Sequence, residues 1–141
     1  ITNTAVVSGG GVTPITVTET IRTESTPILT ITKSVSPVPV TENGILTYTF
    51  LIQNAGSASA DTATGAVITD TFNPILSNLS VTFNGTAWTE TTNYTYDETT
   101  GEFSTVAGQI TVPAATYTQD SETGVWVANP GVSTLVVKGT I

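Results

Sequence analysis

Residues that favour strands alternate with threonine and serine along almost the whole chain, and no window carries a helical 3.6-residue period. A two-residue period turns one face of each segment toward a core and the other toward water, so the chain is expected to be all-β with essentially no helix. Threonine, which is β-branched and makes up roughly a quarter of the residues, weights the backbone further toward strands. The expected strands are Ile1–Ser8, Ile15–Glu24, Ile28–Ser34, Ile45–Asn54, Ala66–Phe72, Leu79–Phe83, Asn93–Tyr96, Glu102–Val106, Gln109–Val112, Ala115–Thr118, Val125–Val127 and Ser133–Ile141. Short strands at this spacing, separated by turn residues, point to a two-sheet sandwich.

Two expected hairpins share one turn design. Asp97-Glu98-Thr99-Thr100-Gly101 precedes Glu102-Phe103, and Asp120-Ser121-Glu122-Thr123-Gly124 precedes Val125-Trp126. In each, the aspartate is suited to accept backbone hydrogen bonds while the glycine takes positive φ. The same acids would suit calcium, but the dense Asp/Asn spacing of calcium loops is missing, so the turn reading is preferred.

The chain lacks cysteine, histidine and methionine, which removes disulfides, thiol chemistry, the imidazole general base and most zinc chemistry. An enzyme would have to work with carboxylates alone, and no pair stands out because the acids sit mostly at turns. No enzymatic activity, cofactor or metal is therefore expected. Net charge is −8, with Arg22, Lys33 and Lys138 as the cations, so no basic patch exists to neutralise phosphates and nucleic acid is not an expected partner. No stretch approaches the ~20 apolar residues of a membrane-spanning helix. The acidic, Thr-rich, Lys-poor composition fits a secreted, cell-surface protein, and Ile1 is expected to follow a removed leader or to lie within a longer chain. Asn78, Asn84 and Asn93 each begin an N-glycosylation acceptor pattern. Trp88 and Trp126 are read as packing residues rather than a sugar platform.

Two punctuations organise the chain. Ser8-Gly9-Gly10-Gly11-Val12-Thr13-Pro14 separates the first strand from the rest, and Ser25-Thr26-Pro27 precedes the main domain. Residues 1–27 are expected to be an N-terminal strand and linker, and residues 28–141 the sandwich domain.

From Leu29 to about Val81 the sequence resembles the conserved-repeat surface domain of bacterial and archaeal envelope proteins, an immunoglobulin-like module catalogued as domain of unknown function eleven. The likeness is carried by Leu29-Thr30-Ile31-Thr32-Lys33 with Ser36-Pro37, by Leu46-Thr47-Tyr48-Thr49-Phe50 running to Asn54-Ala55-Gly56, and by Val67-Ile68-Thr69-Asp70-Thr71. It continues loosely through Asp97–Phe103 and Thr134–Lys138, with a longer loop at Phe72–Ser77. The resemblance implies a module whose last strand reads much like Ile-Thr-Asn-Thr-Ala and follows the strand at Thr134–Lys138. Here that motif stands at the opposite end, as Ile1-Thr2-Asn3-Thr4-Ala5-Val6-Val7-Ser8.

A sandwich short of one strand exposes unpaired backbone groups and an apolar slot. A strand from another copy restores both, and because such a contact is head-to-tail it propagates into an open polymer unless its rotation closes a ring. The expected donor residues are Ile1, Asn3, Ala5 and Val7, and the expected acceptor is the strand carrying Leu135 and Val137. Two other readings remain open at this stage: one repeat of a tandem adhesin or spacer in a large surface protein, or a strand folding back on its own domain across residues 9–27.

The resemblance also places a lysine in the first strand of the module (Lys33), an aspartate in a middle strand (Asp70) and an asparagine in the displaced strand (Asn3). Isopeptide-forming domains use a similar trio, in which a desolvated neutral lysine attacks the asparagine amide beside a protonated acid. The plainer reading makes Lys33 a solvated strand-edge cation and leaves Asp70 and Asn3 to turns or backbone bonds.

Overall fold

The structure is a computed structural model. It describes the backbone of 2–9 and 12–20, and residues 26–141 in full. Strands β1 (Thr2–Gly9), β2 (Val12–Thr20), β3 (Leu29–Ser36), β4 (Ile45–Asn54), β5 (Thr69–Thr71), β6 (Ser77–Phe83), β7 (Thr86–Ala87), β8 (Tyr94–Asp97), β9 (Glu102–Thr105), β10 (Thr116–Gln119), β11 (Trp126–Asn129) and β12 (Gly131–Thr140) follow in chain order. One turn of 3-10 helix, Thr62–Thr64, is the only helical element among the described residues, and Asp61 caps it by accepting from the Ala63 and Thr64 amides. The chain is all-β, as its alternation implies.

Four antiparallel sheets result among the described residues. A five-stranded sheet runs β3-β4-β12-β6-β7, a three-stranded sheet runs β5-β9-β8, and β1-β2 and β10-β11 form two-stranded ribbons. The long central pair shows how the pattern builds the core. On β4, Leu46, Tyr48, Phe50, Ile52 and Asn54 are buried in strict alternation. They oppose Gly139, Val137, Leu135, Ser133 and Gly131 of β12, so the buried faces of the two strands coincide. Val81 and Phe83 of β6 extend the same face. Each such apolar side chain contributes roughly 1.5–3 kcal/mol by leaving water.

The three-stranded sheet covers this face. Phe72, which follows β5, stacks on Tyr48 with ring centroids 4.7 Å apart, while Tyr94 of β8 meets Phe103 of β9 at 5.5 Å. The two sheets therefore share one core, an arrangement consistent with a β-sandwich. At the far end Trp88 packs on Phe83 with centroids 4.9 Å apart, closing the side that carries β6 and β7. Tyr96 secures the loop before β6, its hydroxyl donating to the Leu76 carbonyl at 2.7 Å and accepting from the Leu76 amide at 3.0 Å.

Several boundaries differ from the sequence expectation, for reasons of pairing. The Ala66–Phe72 run holds a ladder only over Thr69–Thr71, and Gln109–Val112 makes a single bridge, Ala60 to Val112. Short Thr86–Ala87, weak in local signal, becomes a strand by pairing with β6. The second strand starts at Val12, within the stretch expected as linker, because Gly9 pairs with Val12; residues 21–24 of that expectation lie outside the described residues. Trp126 is exposed on the β10-β11 ribbon, so it packs no core.

Both hairpin turns follow one plan. Asp97 accepts from the Thr99 amide at 2.8 Å and from the Thr99 hydroxyl, and Asp120 accepts from the Glu122 and Thr123 amides at 2.8 and 3.1 Å. Gly101 and Gly124 close these turns at φ 77° and 71°, the left-handed region where a Cβ is disfavoured. The aspartates are occupied as turn formers, and among the described residues no three of the metal-ligating types converge.

Candidate functional site

Among the described residues, no strand closes the side at β3. Leu29, Ile31, Lys33 and Val35 oppose Asn54, Ile52, Phe50 and Tyr48 in the β3-β4 ladder, so they lie on the core face of the sheet. Their partners on β4 are buried, yet Ile31 remains 50% and Val35 39% exposed. The three-stranded sheet stops at β5, one strand too soon to cover them. The uncovered face of β3 beside β5, which carries Ile31 and Val35, is the open cleft.

Backbone polarity lines both rims. The Ala55 amide donates to the Ile28 carbonyl, which sets the ladder phase so that even-numbered residues of β3 bond to β4. The N–H and C=O groups of Leu29, Ile31, Lys33 and Val35 therefore point to the free edge. On β5, the Phe72 amide donates to Gly101 and the Thr105 amide to Ile68, which turns Asp70 toward β9 and leaves the backbone groups of Thr69 and Thr71 facing outward. Unpaired rims beside uncovered apolar side chains, here Ile31 and Val35, are the features that invite strand addition.

Lys33 and Asp70 meet on the floor of this cleft. Their Nζ and Oδ2 lie 2.5 Å apart, with the ammonium 4.9 Å from the Tyr48 ring centroid and 5.9 Å from that of Phe72. Asp70 Oδ2 is shut off from solvent and receives no well-directed hydrogen bond, so the ion pair is its whole compensation. The lysine side chain keeps 42% of its exposure and the aspartate 18%. The site is half-roofed by aromatic rings and open on the side of the missing cover.

No family model, curated protein or solved structure matches this chain.

The other sequence-nominated residues fall differently. Leu135 and Val137 are fully buried on β12, whose two edges are taken by β4 and β6. The expectation that β12 accepts a donated strand is thereby corrected: around Leu135 and Val137 it is bonded on both sides, whereas β3 and β5 are edge strands on the uncovered side. Asn3, Ala5 and Val7 lie on β1, where their register partners are Glu19, Val17 and Ile15 of β2. Ile1 lies outside the described residues. Within the chain β1 has no ladder with β3 or β5, so Asn3 is not joined to the sheets that carry Lys33 and Asp70.

Sequence reasoning missed Ile31, Val35, Thr69 and Thr71 as site residues. The alternation Leu29, Ile31, Lys33, Val35 was visible, but alternation marks a core face without saying whether anything lies on it. Of the glycosylation patterns, Asn84 and Asn93 have their amides engaged, with Ser133 and Thr134 and with Thr89 and Gln109, while Asn78 is exposed. Among the described residues no helix is long and apolar enough to cross a membrane.

Proposed function

We propose that this chain is a structural subunit of an extracellular, filament-like surface polymer, built head-to-tail by strand donation. The N-terminal strand of one copy, Asn3, Ala5 and Val7 among its residues, fills the open cleft of the next. The observation that carries this reading is the half-exposure of Ile31 and Val35 on a face whose ladder partners are buried, beside two free strand edges. Covering the part of each that still meets water contributes roughly 1 kcal/mol before ordering costs, and backbone pairing along a rim adds to it.

The ion pair on the cleft floor supports a covalent lock in the same reading. A donated strand shields Lys33 and Asp70 from water and brings an asparagine amide beside an amine with an adjacent acid, the groups that nucleophilic attack on a carboxamide needs. Lys33 Nζ then attacks the side-chain amide carbon of the neighbour's Asn3. The new C–N bond replaces the amide C–N bond, and ammonia leaves, with Asp70 carrying the proton from the lysine nitrogen to the leaving group.

Removal of residues 2–9 tests the polymer reading. The shortened chain is expected to stay as separate subunits by electron microscopy and sedimentation, whereas filaments of normal length would overturn the proposal.

A further inference from the structure

The two layers of the core differ by two strands. Five strands, β3-β4-β12-β6-β7, face three, β5-β9-β8. The deficit is one-sided, because the β6-β7 end is closed by Trp88 on Phe83 while the β3 end leaves Ile31 and Val35 uncovered. Any strands that complete the smaller layer must therefore be added beyond β5. β1 and β2 form an antiparallel ribbon that joins neither layer.

The ribbon's register gives it two unlike faces. Asn3, Ala5 and Val7 stand opposite Glu19, Val17 and Ile15, so Ala5, Val7, Ile15 and Val17 share one face. Thr2, Thr4 and Val6 stand opposite Thr20, Thr18 and Thr16, a face dominated by threonine. A two-stranded ribbon is marginal by itself, and an apolar face on one needs a cover. Its two strands also have unequal edges. Pro14 in β2 lacks an N–H and suits an outermost strand, whereas β1 carries no proline.

From these features we infer that the donated unit is the whole β1-β2 ribbon of a second copy. β1 pairs with the outer edge of β5 through Thr69 and Thr71 and comes to lie over β3, and β2, already bonded to β1, follows as the new edge. The three-stranded layer becomes five-stranded, and the added strands cover the side that carries Ile31, Lys33 and Val35. This rests on the strand-donation reading and goes further than it, since β1 is already bonded to β2 and donating it alone would break that ladder.

Two synthetic peptides, residues 2–20 and residues 2–9, separate the possibilities when added to the full chain during assembly. The 2–20 peptide is expected to stop growth at a concentration at least tenfold lower than the 2–9 peptide, and to slow hydrogen exchange at the Thr69 and Thr71 amides. Equal potency of the two peptides overturns ribbon donation and leaves single-strand donation standing. Protection at Ile31, Lys33 and Val35 in place of Thr69 and Thr71 also overturns it, because the added strand would then extend the larger sheet. A monomeric chain that already protects Thr69 and Thr71 has docked its own ribbon, which overturns exchange between copies. If neither peptide alters growth, or a monomeric chain leaves both amides unprotected, strand donation itself fails.

Discussion

Lys33 on β3 and Asp70 on β5 stand on facing sheets and meet at 2.5 Å on the floor of the cleft. Neither residue is placed there by local sequence alone: the β3-β4 ladder turns Lys33 inward opposite Phe50, and the β5-β9 ladder turns Asp70 inward opposite Phe103. An ion pair whose acid oxygen lacks other partners depends on what finally covers it.

Replacing Lys33 by arginine keeps the positive charge but removes a usable nucleophile. Assembly is expected to persist while the covalent link disappears. In the unaltered polymer, joined peptides containing Lys33 and Asn3 should weigh about 17 Da less than their sum, the mass of lost ammonia when an amine displaces a carboxamide. Polymer that dissolves in hot detergent to chains with both residues unmodified would remove the covalent step and leave non-covalent donation.

Ile31 and Leu135 are both apolar strand residues on a core face, yet their substitutions should behave oppositely. Ile31→Thr is expected to change the unfolding free energy of the isolated subunit by under about 1 kcal/mol, since half of the side chain already meets water, but to weaken assembly. Leu135→Ala, at 0% exposure, should cost about 2–5 kcal/mol in denaturant unfolding of the subunit itself. An assembly assay indifferent to Ile31→Thr would argue against the cleft as the contact surface.

Asn54 is the polar anchor beneath the start of β3. Its side chain accepts from the Ile28 and Gly56 amides at 3.0 and 2.8 Å and donates to the Ala58 and Pro113 carbonyls at 2.8 and 3.1 Å. Asn54→Leu preserves bulk but strands these partners, a loss expected on the order of 3 kcal/mol in the unfolding midpoint analysis. Faster exchange of the Gly56 amide should accompany it, because that donor loses its acceptor.

Hydrogen bonds from Glu122 and Thr123 amides hold the Asp120 carboxyl below the ordinary aspartate value of 3.8. The charged form is thus favoured in the folded turn, so this contribution is present above that value and is lost as pH falls through the depressed one. Acidification is expected to shift the Glu122 and Thr123 amide resonances with a midpoint below 3.8, and Asp120→Asn should flatten the titration. A midpoint at or above the ordinary value would show that the turn bonds do not favour the carboxylate.

The sequence by itself determined the all-β class, most strand positions and the two Asp-to-Gly turns. These depend on information within a few residues: a two-residue period, β-branched side chains, an acceptor near a residue that tolerates positive φ. It also singled out Lys33 and Asp70, though by resemblance rather than by contact. What only the tertiary structure decided is which strands lie at the centre and which keep an open edge. The run Ser133–Ile141 and the run Leu29–Ser36 both read as alternating strands, yet β12 is enclosed by β4 and β6 while β3 has one neighbour. A strand's pattern records which of its faces is apolar; its edges carry the same backbone groups whatever the side chains are, so pairing partners far along the chain settle whether those groups are spent or free.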